Sequence, residues 1–428
     1  MKIKTKVLDY DRVMGLPRPE HKDPTKPNIF WRSIIRVAAI PDLLATRFTF
    51  TTCRMELVDG PCLILMNHSC FLDLEIAYRI FYPKPLCIVC TSDGFVGKDF
   101  LMRWIGCIPT QKFVSDVQLI RDMTYALKEK NTSVLMYPEA SYTFDCTATP
   151  LPRKMGVLLK KLDVPVVMVT TQGAFARQPL YNGLRKRKVK VSAHVERLLT
   201  REEIREGTVA ELSKKLDDAF VFDGFAWQQE SGVEIDTPTR AEGLSRILFR
   251  CPHCGQEGHM TSTGIGITCT HCVVHYEMTP LGKLKCTNAE AKFTHIPHWY
   301  AWERDMVRQE ILDGTYRLDV DVDIGMMVDY KAIYMVGAGH LTHDREGFHL
   351  TGCDGKLTYD QKPLACYGLY SDYYRYEIAD VICIGNHDCL YYCFPKGGDV
   401  VAKARMAAEE LYKLAKARKL PAPAEASL

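Results

Sequence analysis

The sequence predicts an α/β domain whose mixed, largely parallel sheet is flanked by helices, followed by a small cysteine-rich module and a β-barrel-like domain closed by a helix. Apolar runs typical of buried strands, such as residues 62–66 and 133–137, alternate with segments of helical periodicity in the first half of the chain. Two cysteine pairs lie between residues 251 and 272. From residue 316 onward, short segments alternate apolar and polar side chains, and residues 400–419 then show helical periodicity.

The composition is that of a globular protein with reduced thiols. The 428 residues suffice for two or three domains, and the net charge of +3 gives no global sign of a polyanionic partner. The 17 cysteines are scattered and odd in number, which favours free thiols. The N-terminal segment lacks the apolar core of a signal peptide, and no apolar run approaches the ~18 residues of a transmembrane helix. We therefore expect a cytoplasmic protein.

Residues 61–79 organise the first domain. An apolar strand is predicted to end near Asn67, and a helix follows within a few residues, with Asn67 and Ser69 as candidate N-cap residues. His68 and Asp73 are five positions apart, so they meet only if His68 precedes the helix and folds back over it. A carboxylate beside an imidazole fixes its tautomer and suits a general base. Free N–H groups at the helix start can hold a developing negative charge.

Two other features of the sequence are alternatives to the His68–Asp73 pair as the site of the chemistry. His349 also has an aspartate five residues on, Asp354, but that pair lies in a glycine-rich segment with no helix after it. We interpret the second pair as coincidence. Cys70 is a candidate nucleophile as an alternative to a general base at His68, but we expect it to point into the helix packing.

Three further segments follow in order along the chain. They are a Gly-x-Ile-x turn at residues 106–109 with Lys112 as the basic residue after it, an apolar strand that ends in Pro138-Glu139, and an apolar strand that begins at Val164-Pro165. Together with N-H-x-x-x-x-D at residues 67–73, these segments resemble the four motifs of the glycerolipid acyltransferase family. The best-known member of that family is 1-acylglycerol-3-phosphate acyltransferase.

The resemblance implies transfer of a fatty acyl group from acyl-CoA or an acyl carrier protein thioester to a lysophospholipid hydroxyl, with 1-acylglycerol-3-phosphate as the expected acceptor in phospholipid biosynthesis. It makes His68 the general base and Asp73 the residue that orients it. The residues implied in substrate binding are Lys112, Glu139, Ser141 and Lys154. One departure is Tyr142, which stands where the family's third motif has an arginine. A phosphate-binding cation is therefore missing, and Arg153 or Lys154 is a candidate replacement.

Residues 30–50 mix aromatic and aliphatic side chains with three arginines, and Pro41 interrupts their helical spacing. Two interpretations remain open and can both hold: a pair of helices packed on the core, or interfacial helices with Phe30 and Trp31 at the lipid boundary. The resemblance favours the membrane surface as a partner, so we expect a peripheral protein on the inner face of the membrane. The basic run at residues 185–190 is either a solvated loop or a contact for anionic head groups or CoA phosphates.

The paired cysteines predict a metal site. Two Cys-x-x-Cys knuckles supply four thiolates on tight turns, which suits tetrahedral zinc, and they consist of Cys251, Cys254, Cys269 and Cys272. Because the chain fills all four positions, the zinc would be structural; reduced core cysteines and disulfides are the alternatives. Residues 256–268 contain no lysine or arginine, so we expect no nucleic-acid partner for this ribbon.

Changes in composition divide the chain into four parts. We expect an extended N-terminal arm over residues 1–28, an acyltransferase domain with N-terminal membrane-facing helices over 29–235, a zinc ribbon over 245–282, and a helix followed by a pleckstrin-homology-like β domain over 290–420. The alternative to an enzyme is a catalytically decayed scaffold, associated with membrane or nucleic acid, that presents the ribbon. The intact motif residues favour the enzyme.

Overall fold

The computed structural model describes residues 3–58, 60–114, 116–152 and 154–420. Up to Glu230, helices alternate with the strands of a mixed sheet, as the sequence pattern predicts. The elements are β1 (Thr5–Val7), α1 (Tyr10–Met14), α2 (Ile29–Ala45), β2 (Thr49–Cys53), β3 (Leu63–Met66), α3 (Leu72–Phe81), β4 (Leu86–Thr91), α4 (Asp99–Trp104), β5 (Cys107–Thr110), α5 (Val117–Lys128), β6 (Ser133–Met136), α6 (Met155–Leu162), β7 (Val166–Gln172), α7 (Ala174–Arg177), β8 (Ser192–Leu199), α8 (Arg201–Glu206), α9 (Val209–Ala219) and α10 (Gly224–Glu230).

The main sheet of this part has seven strands in the order β2-β8-β7-β3-β6-β4-β5, which places β3 at the centre. All neighbouring strands are parallel except β7 and β8. The mixed, largely parallel sheet predicted from the sequence is therefore observed. In a sheet of this kind, the carboxyl ends of neighbouring strands form a common edge at which ligands bind.

Apolar side chains cover both faces of the sheet. Ile64 and Met66 of β3 enter one core together with Ile76 of α3. Leu63 and Leu65 enter the core on the other face. Alternate residues of β3 thus point into opposite cores, which is why the whole strand is apolar.

The paired cysteines belong to a small antiparallel sheet. Its strands are β9 (Met260–Thr263), β10 (Gly266–Cys269), β11 (His275–Met278) and β12 (Leu284–Cys286), in the spatial order β12-β11-β10-β9. The first cysteine pair precedes β9, and the second lies at the end of β10 and in the turn after it. The ribbon shares one apolar core with the C-terminal sheet and with Phe144 and Tyr181 of the first domain. The domain boundaries near residues 235, 245 and 290 remain predictions.

An antiparallel sheet forms the C-terminal part, with a helix before it and a helix after it. The elements are α11 (Ile296–Leu312), β13 (Leu318–Met327), β14 (Ile333–Asp344), β15 (Gly347–Gly352), β16 (Leu357–Gln361), β17 (Tyr370–Arg375), β18 (Ala379–Gly385), β19 (Leu390–Pro395) and α12 (Val401–Lys416). The strand order is β16-β15-β14-β13-β19-β18-β17. Among the described strands no pairing joins β16 to β17, so the predicted barrel is an open sheet. The likeness to a pleckstrin-homology domain remains a prediction.

The sequence predicted an extended N-terminal arm, but part of this arm forms a strand, β1, and a short helix, α1. β1 pairs in parallel with β14, and α1 begins after Asp9, whose side chain accepts a hydrogen bond from the N–H of Asp11. Val13 is buried in the core shared with the C-terminal sheet. The arm is therefore ordered by strands far along the chain, which a local sequence pattern does not reveal.

The predicted pair of helices over residues 30–50 is one helix, because α2 continues through Pro41. A proline inside a helix removes one backbone hydrogen bond. The burial of Ala39 and Leu43, on either side of the proline, holds the helix against the core. Within the described residues, no helix has both the length and the apolar character needed to cross a bilayer.

Residues 200–220 have the apolar spacing of one amphipathic helix, for which Thr200 and Glu203, three residues later, predict a capping box. The structure has two helices in this segment. Thr200 and Glu203 form the predicted capping box of α8. Thr208 and Glu211 form a second capping box, at the start of α9. The second box starts a new helix because its side chains take up the first backbone N–H groups of α9.

Buried charges connect α11 to α12. Arg304 of α11 contacts Glu409 and Glu410 of α12, and Arg308 contacts Glu410 at 2.8 Å. Both glutamates are almost fully buried. Each arginine therefore offsets the cost of removing a carboxylate from water.

Arg304→Met should lower the free energy of unfolding by about 3–5 kcal/mol, because it removes one partner of a buried charge pair. Urea unfolding followed by circular dichroism measures the change. Arg317→Met is the matched control, since Arg317 pairs with Asp319 at the exposed surface of the same domain, and it should leave stability nearly unchanged. Equal stability of the two variants would contradict the assignment.

Candidate active site

His68 and Glu139 follow the carboxyl ends of two neighbouring parallel strands. β3 ends at Met66 and β6 ends at Met136, and the two strands pair directly. The backbone N–H of His68 donates to Glu139 Oε2 at 3.0 Å. The structure thus brings together the two residues that the sequence places at one site.

The His68 imidazole and the Asp73 carboxylate are in contact, with 3.1 Å between Nδ1 and Oδ2. The same carboxylate oxygen accepts the backbone N–H groups of Ser69 and Cys70 at 2.6 and 3.0 Å. These bonds turn the chain back just before α3, which is why His68 meets a residue five positions later. The Asp73 side chain is completely buried.

Neither predicted N-cap residue caps α3. The N-cap position is Phe71, which makes no side-chain capping bond. Asn67 instead joins β3 to β7, because its Oδ1 accepts the N–H of Thr171 at 2.7 Å and its Nδ2 donates to the Thr171 carbonyl at 3.2 Å. Ser69 is buried in the turn. The Asn67 side chain therefore fixes the turn to the sheet, whereas the backbone of Ser69 and Cys70 is bonded to Asp73 of α3.

The structure disagrees with two further possibilities for this turn, namely free N–H groups at the helix start and a nucleophilic Cys70. The N–H groups of Ser69 and Cys70, which the sequence offers to a developing negative charge, already donate to Asp73. The Cys70 thiol is fully buried and donates to the carbonyl of Ala174 at 3.5 Å. Burial raises the pKa of this thiol well above its usual range, which opposes a role as nucleophile.

Glu139 connects the third motif to the His68 turn. Its Oε2 accepts the His68 N–H, and its Oε1 accepts the N–H and the hydroxyl of Thr149 at 2.9 and 3.1 Å. Burial raises the pKa of Glu139 to about 7, and these hydrogen bonds oppose the shift. Ala140 has a φ of 58° at the position where the resembled motif has glycine, so this chain keeps a bend that costs an L-residue about 1–2 kcal/mol.

Two tyrosines pack on the His68 ring. Tyr137 stacks on it with 3.8 Å between ring centroids, and Tyr142 meets it edge-on at 4.5 Å. His68 keeps 21% of its side chain exposed. Burial lowers the pKa of His68, and the Asp73 carboxylate opposes this shift. The neutral imidazole that a general base needs is therefore the favoured form near neutral pH.

Lys112 lies against the C-terminal sheet. Its Nζ is 4.3 Å from the ring centroid of Tyr370 on β17. Burial lowers the pKa of Lys112 to about 8; the positive charge of Arg375 acts in the same direction, and neighbouring carboxylates oppose it. The charge of Lys112 also reaches His68, whose pKa it lowers. Lys112 is thus a partly desolvated cation within electrostatic range of the imidazole.

The sequence did not predict the charged residues that surround Lys112, which are Asp93, Asp372 and Arg375. Arg375 pairs with Asp93 at 2.6 Å and with Asp372 at 2.8 Å, and the Tyr370 hydroxyl donates to Asp93. The tyrosine-rich segment that contains β17 predicts only a packed strand. No local signal links it to residues of the first domain, because the contact is made by the tertiary fold.

The other residues expected in substrate binding differ in their positions. Ser141 is buried, and its Oγ has no hydrogen-bond partner among the described residues. Lys154 is exposed at the N-cap position of α6. None of the contacts described for Lys154 reaches His68. Arg153, its alternative, lies outside the described residues.

Some side chains of the basic run at residues 185–190 are bonded within the protein. Arg187 is buried and donates to the carbonyl of Arg240 at 3.0 Å. Lys186 pairs with Asp42 at 2.6 Å. These contacts fix the segment to the domain, but the side chains of Lys186, Lys188 and Lys190 are exposed, so both interpretations of the run stay open.

The four ribbon cysteines converge on one point, with all Sγ atoms within 4.8 Å of one another. The Sγ atoms of Cys251 and Cys272 are 3.5 Å apart, and those of Cys254 and Cys269 are 3.7 Å apart. A disulfide needs about 2.05 Å. A tetrahedral metal with sulfur bonds of about 2.3 Å needs about 3.8 Å between sulfurs. The donor set and its spacing therefore fit zinc.

Comparison with known proteins gives matches to the first part of the chain. The 1-acyl-sn-glycerophosphate (LPA) acyltransferase PlsC from Thermotoga maritima is similar in structure over 44% of this chain and 76% of its own, with 13% sequence identity and a TM-score of 0.37. The search of curated proteins gave no significant sequence match. Residues 47–172 match the family model described as Acyltransferase. This segment contains His68, Asp73, Lys112 and Glu139, and the match supports its assignment to the acyltransferase family.

Proposed function

We propose that this protein transfers a fatty acyl group from acyl-CoA or an acyl carrier protein thioester to the hydroxyl of a lysophospholipid, with 1-acylglycerol-3-phosphate as the expected acceptor in phospholipid biosynthesis. The observation that supports it best is the contact between His68 Nδ1 and the buried Asp73 carboxylate inside the segment that matches the acyltransferase model. A decayed scaffold would need the Asp73 carboxylate for the turn, but it would have no need of an imidazole beside it.

The contact with Asp73 supports a different role for each ring nitrogen of His68. The carboxylate only accepts hydrogen bonds, so the ring proton lies on Nδ1 and Nε2 keeps its lone pair. Nε2 takes the proton of the acceptor hydroxyl while that oxygen attacks the thioester carbonyl carbon. The carbon–sulfur bond then breaks, and the imidazolium returns the proton to the leaving thiolate. An ester and a free thiol result, without an acyl-enzyme intermediate.

Lys112 is the proposed cation for the acceptor's phosphate, because its charge lies within electrostatic range of His68. Ser141 offers a buried hydroxyl whose Oγ has no partner in the described part of the chain. Glu139 holds the His68 backbone in place through its N–H. Lys154 remains a candidate on the sequence resemblance alone.

His68→Ala should lower kcat/KM for transfer of labelled acyl-CoA to 1-acylglycerol-3-phosphate by about 10²–10⁴-fold, because the general base is removed. His349→Ala is the matched control, since His349 is an exposed residue of β15 that contacts Asp360 rather than Asp354, and it should keep the wild-type rate. The same assay is repeated with other lysophospholipids as acceptors and with acyl carrier protein thioesters as donors. No transfer with any donor or acceptor would favour the scaffold.

The pH profile of kcat/KM should be bell-shaped. On the acidic side, the pKa of His68 lies below its usual 6.5, so the active neutral form persists below pH 6.5 and activity falls only under that value. On the basic side, activity falls near pH 8 as Lys112 loses its positive charge. Lys112→Arg should move the basic limb upward, because arginine stays protonated. An unmoved basic limb in this variant would contradict the role of Lys112.

We also propose that the four ribbon cysteines hold one structural zinc ion. The chain supplies all four ligands, so the site has no open position for a substrate. When bound, the metal would crosslink the turn before β9 to the turn after β10.

Purified protein should contain about one zinc ion per chain by atomic spectroscopy. The double variant Cys251→Ser/Cys254→Ser should lose this zinc and unfold at a lower temperature, because half of the ligands are gone. Cys53→Ser, which changes a cysteine of β2 outside the ribbon, is the control and should keep the metal. Zinc retained in the double variant would contradict the site.

The third part of the proposal is that α2 and α4 bind an anionic membrane surface. Exposed apolar side chains form what we call the α2–α4 surface, namely Ile29, Phe30, Ile34, Val37, Ile40, Leu44, Phe100, Leu101 and Trp104. Trp31 joins the two helices, with 5.7 Å between its ring and that of Trp104. The acidic residue of α2, Asp42, is paired with Lys186, so the arginines of α2 dominate its charge. Exposed apolar side chains with neighbouring arginines are typical of interfacial helices.

Val37→Asp and Leu44→Asp should each weaken binding to phosphatidylglycerol vesicles by about tenfold, because burial of an apolar side chain in lipid is lost. Vesicle cosedimentation at two salt concentrations measures the effect. Val221→Asp is the control, because Val221 is equally exposed but lies outside the α2–α4 surface. A similar loss in all three variants would argue against a specific membrane face.

A further inference from the structure

Strand β17 of the C-terminal sheet lies over the neighbours of His68. The Tyr370 ring on this strand contacts Lys112 of the second motif. Three residues later, Tyr373 packs against Phe144, with 5.0 Å between ring centroids. Phe144 is two residues beyond Tyr142, which itself packs on His68. One strand of the C-terminal sheet thus contacts two of the segments that surround the imidazole.

A buried charge cluster fixes β17 in this position. Arg375 of β17 pairs with Asp93, which follows β4 in the first domain, and the Tyr370 hydroxyl donates to the same carboxylate. Asp93 has 1% of its side chain exposed and Arg375 has 14%. We call this contact between Asp93, Tyr370 and Arg375 the latch. Because both charges are desolvated, each needs the other while the two parts remain in contact.

Further contacts join the same two parts of the chain. The Gln111 side chain donates to the carbonyl of His387 at 3.3 Å. Arg405 of α12 donates to the carbonyl of Tyr142 at 3.3 Å. The C-terminal part therefore contacts both the loop after β5 and the third motif.

Among the described residues, the side chains that line the cleft beside Lys112 leave no space for a substrate. The cleft lined by Lys112, Asp93 and Tyr370 contains about 0 Å³ of space that a water molecule can enter. At the interface itself, Gln111 Oε1 and Arg375 Nε are buried without hydrogen-bond partners in the described part of the chain. Polar atoms in this state cost free energy that contact with water would recover. Opening of the interface therefore has a local energetic gain as well as a cost.

We propose that the C-terminal sheet is an autoinhibitory lid, which closes the acyl transfer site through the latch and must move away before acceptor and thioester can reach His68. The inference rests on the proposed function, because it concerns access to the same histidine. In the closed state Arg375 and Asp372 pair at 2.8 Å, and β17 and α12 lie against the segments that carry Lys112 and Tyr142. In the open state these segments face solvent, and the exposed fraction of His68 rises above the 21% of the closed state.

The test measures the accessibility of His68 in the full-length protein, independently of turnover. Diethyl pyrocarbonate modifies accessible imidazoles, and mass spectrometry of the peptide that contains His68 gives the rate. Arg375→Gln removes the latch charge and should raise this rate about tenfold, as expected for a shift toward a minor open state. Tyr370→Phe removes only one hydroxyl and should raise it less. Arg317→Gln, on an exposed pair of the same sheet, should leave it unchanged.

Two other histidines serve as internal references. His349 is about half exposed and should react at the same rate in every variant, whereas His343 is buried in the C-terminal sheet and should stay protected. If His343 becomes reactive in Arg375→Gln, that variant has unfolded. The modification rate of His68 in Tyr370→Phe then decides whether the lid exists. An unchanged His68 rate with His343 protected would overturn the lid. Failure of the proposed function would appear separately, as absence of acyl transfer by the wild-type protein.

Discussion

The candidate site depends on one buried carboxylate. Asp73 accepts hydrogen bonds from the His68 ring and from the N–H groups of Ser69 and Cys70 through a single oxygen. Those bonds create the turn between β3 and α3, and they also set the direction and the tautomer of the imidazole. Without the carboxylate, three buried donors would lose their acceptor, so the local fold and the proposed chemistry have the same physical origin.

The turn is placed by hydrogen bonds to the two strands that flank β3. Asn67 connects it to Thr171 on the β7 side, and Glu139 connects it to the segment after β6. Both side chains are buried, so their bonds form in a region of low dielectric where an unmade bond is expensive. The positive φ of Ala140 shows that the backbone at the third motif accepts strain to keep this arrangement.

The exchange of the motif arginine for Tyr142 agrees with a site that is covered rather than open. An arginine beside His68 would need a counter-ion once solvent is excluded, whereas an aromatic ring packs on the imidazole without one. Among the described residues, the cations near the site include Lys112 and Arg375, and the second comes from the C-terminal sheet. Burial of these charges lowers the pKa of Lys112 and holds Asp93 and Arg375 together. The electrostatics of the site are therefore shared between two parts of the chain.

The sequence by itself determined the local features. The apolar strand before Asn67, the helix after it, the His68–Asp73 spacing and the paired cysteines all follow from short-range patterns, because periodicity and ligand spacing act over a few residues. It did not determine that Asn67 would bond a neighbouring strand, that Lys154 would lie exposed, or that the N-terminal arm would pair with β14. Nor did it indicate that Arg375 would reach Asp93. Only the tertiary structure decided these contacts, because burial and charge pairing depend on which distant segments the core brings together.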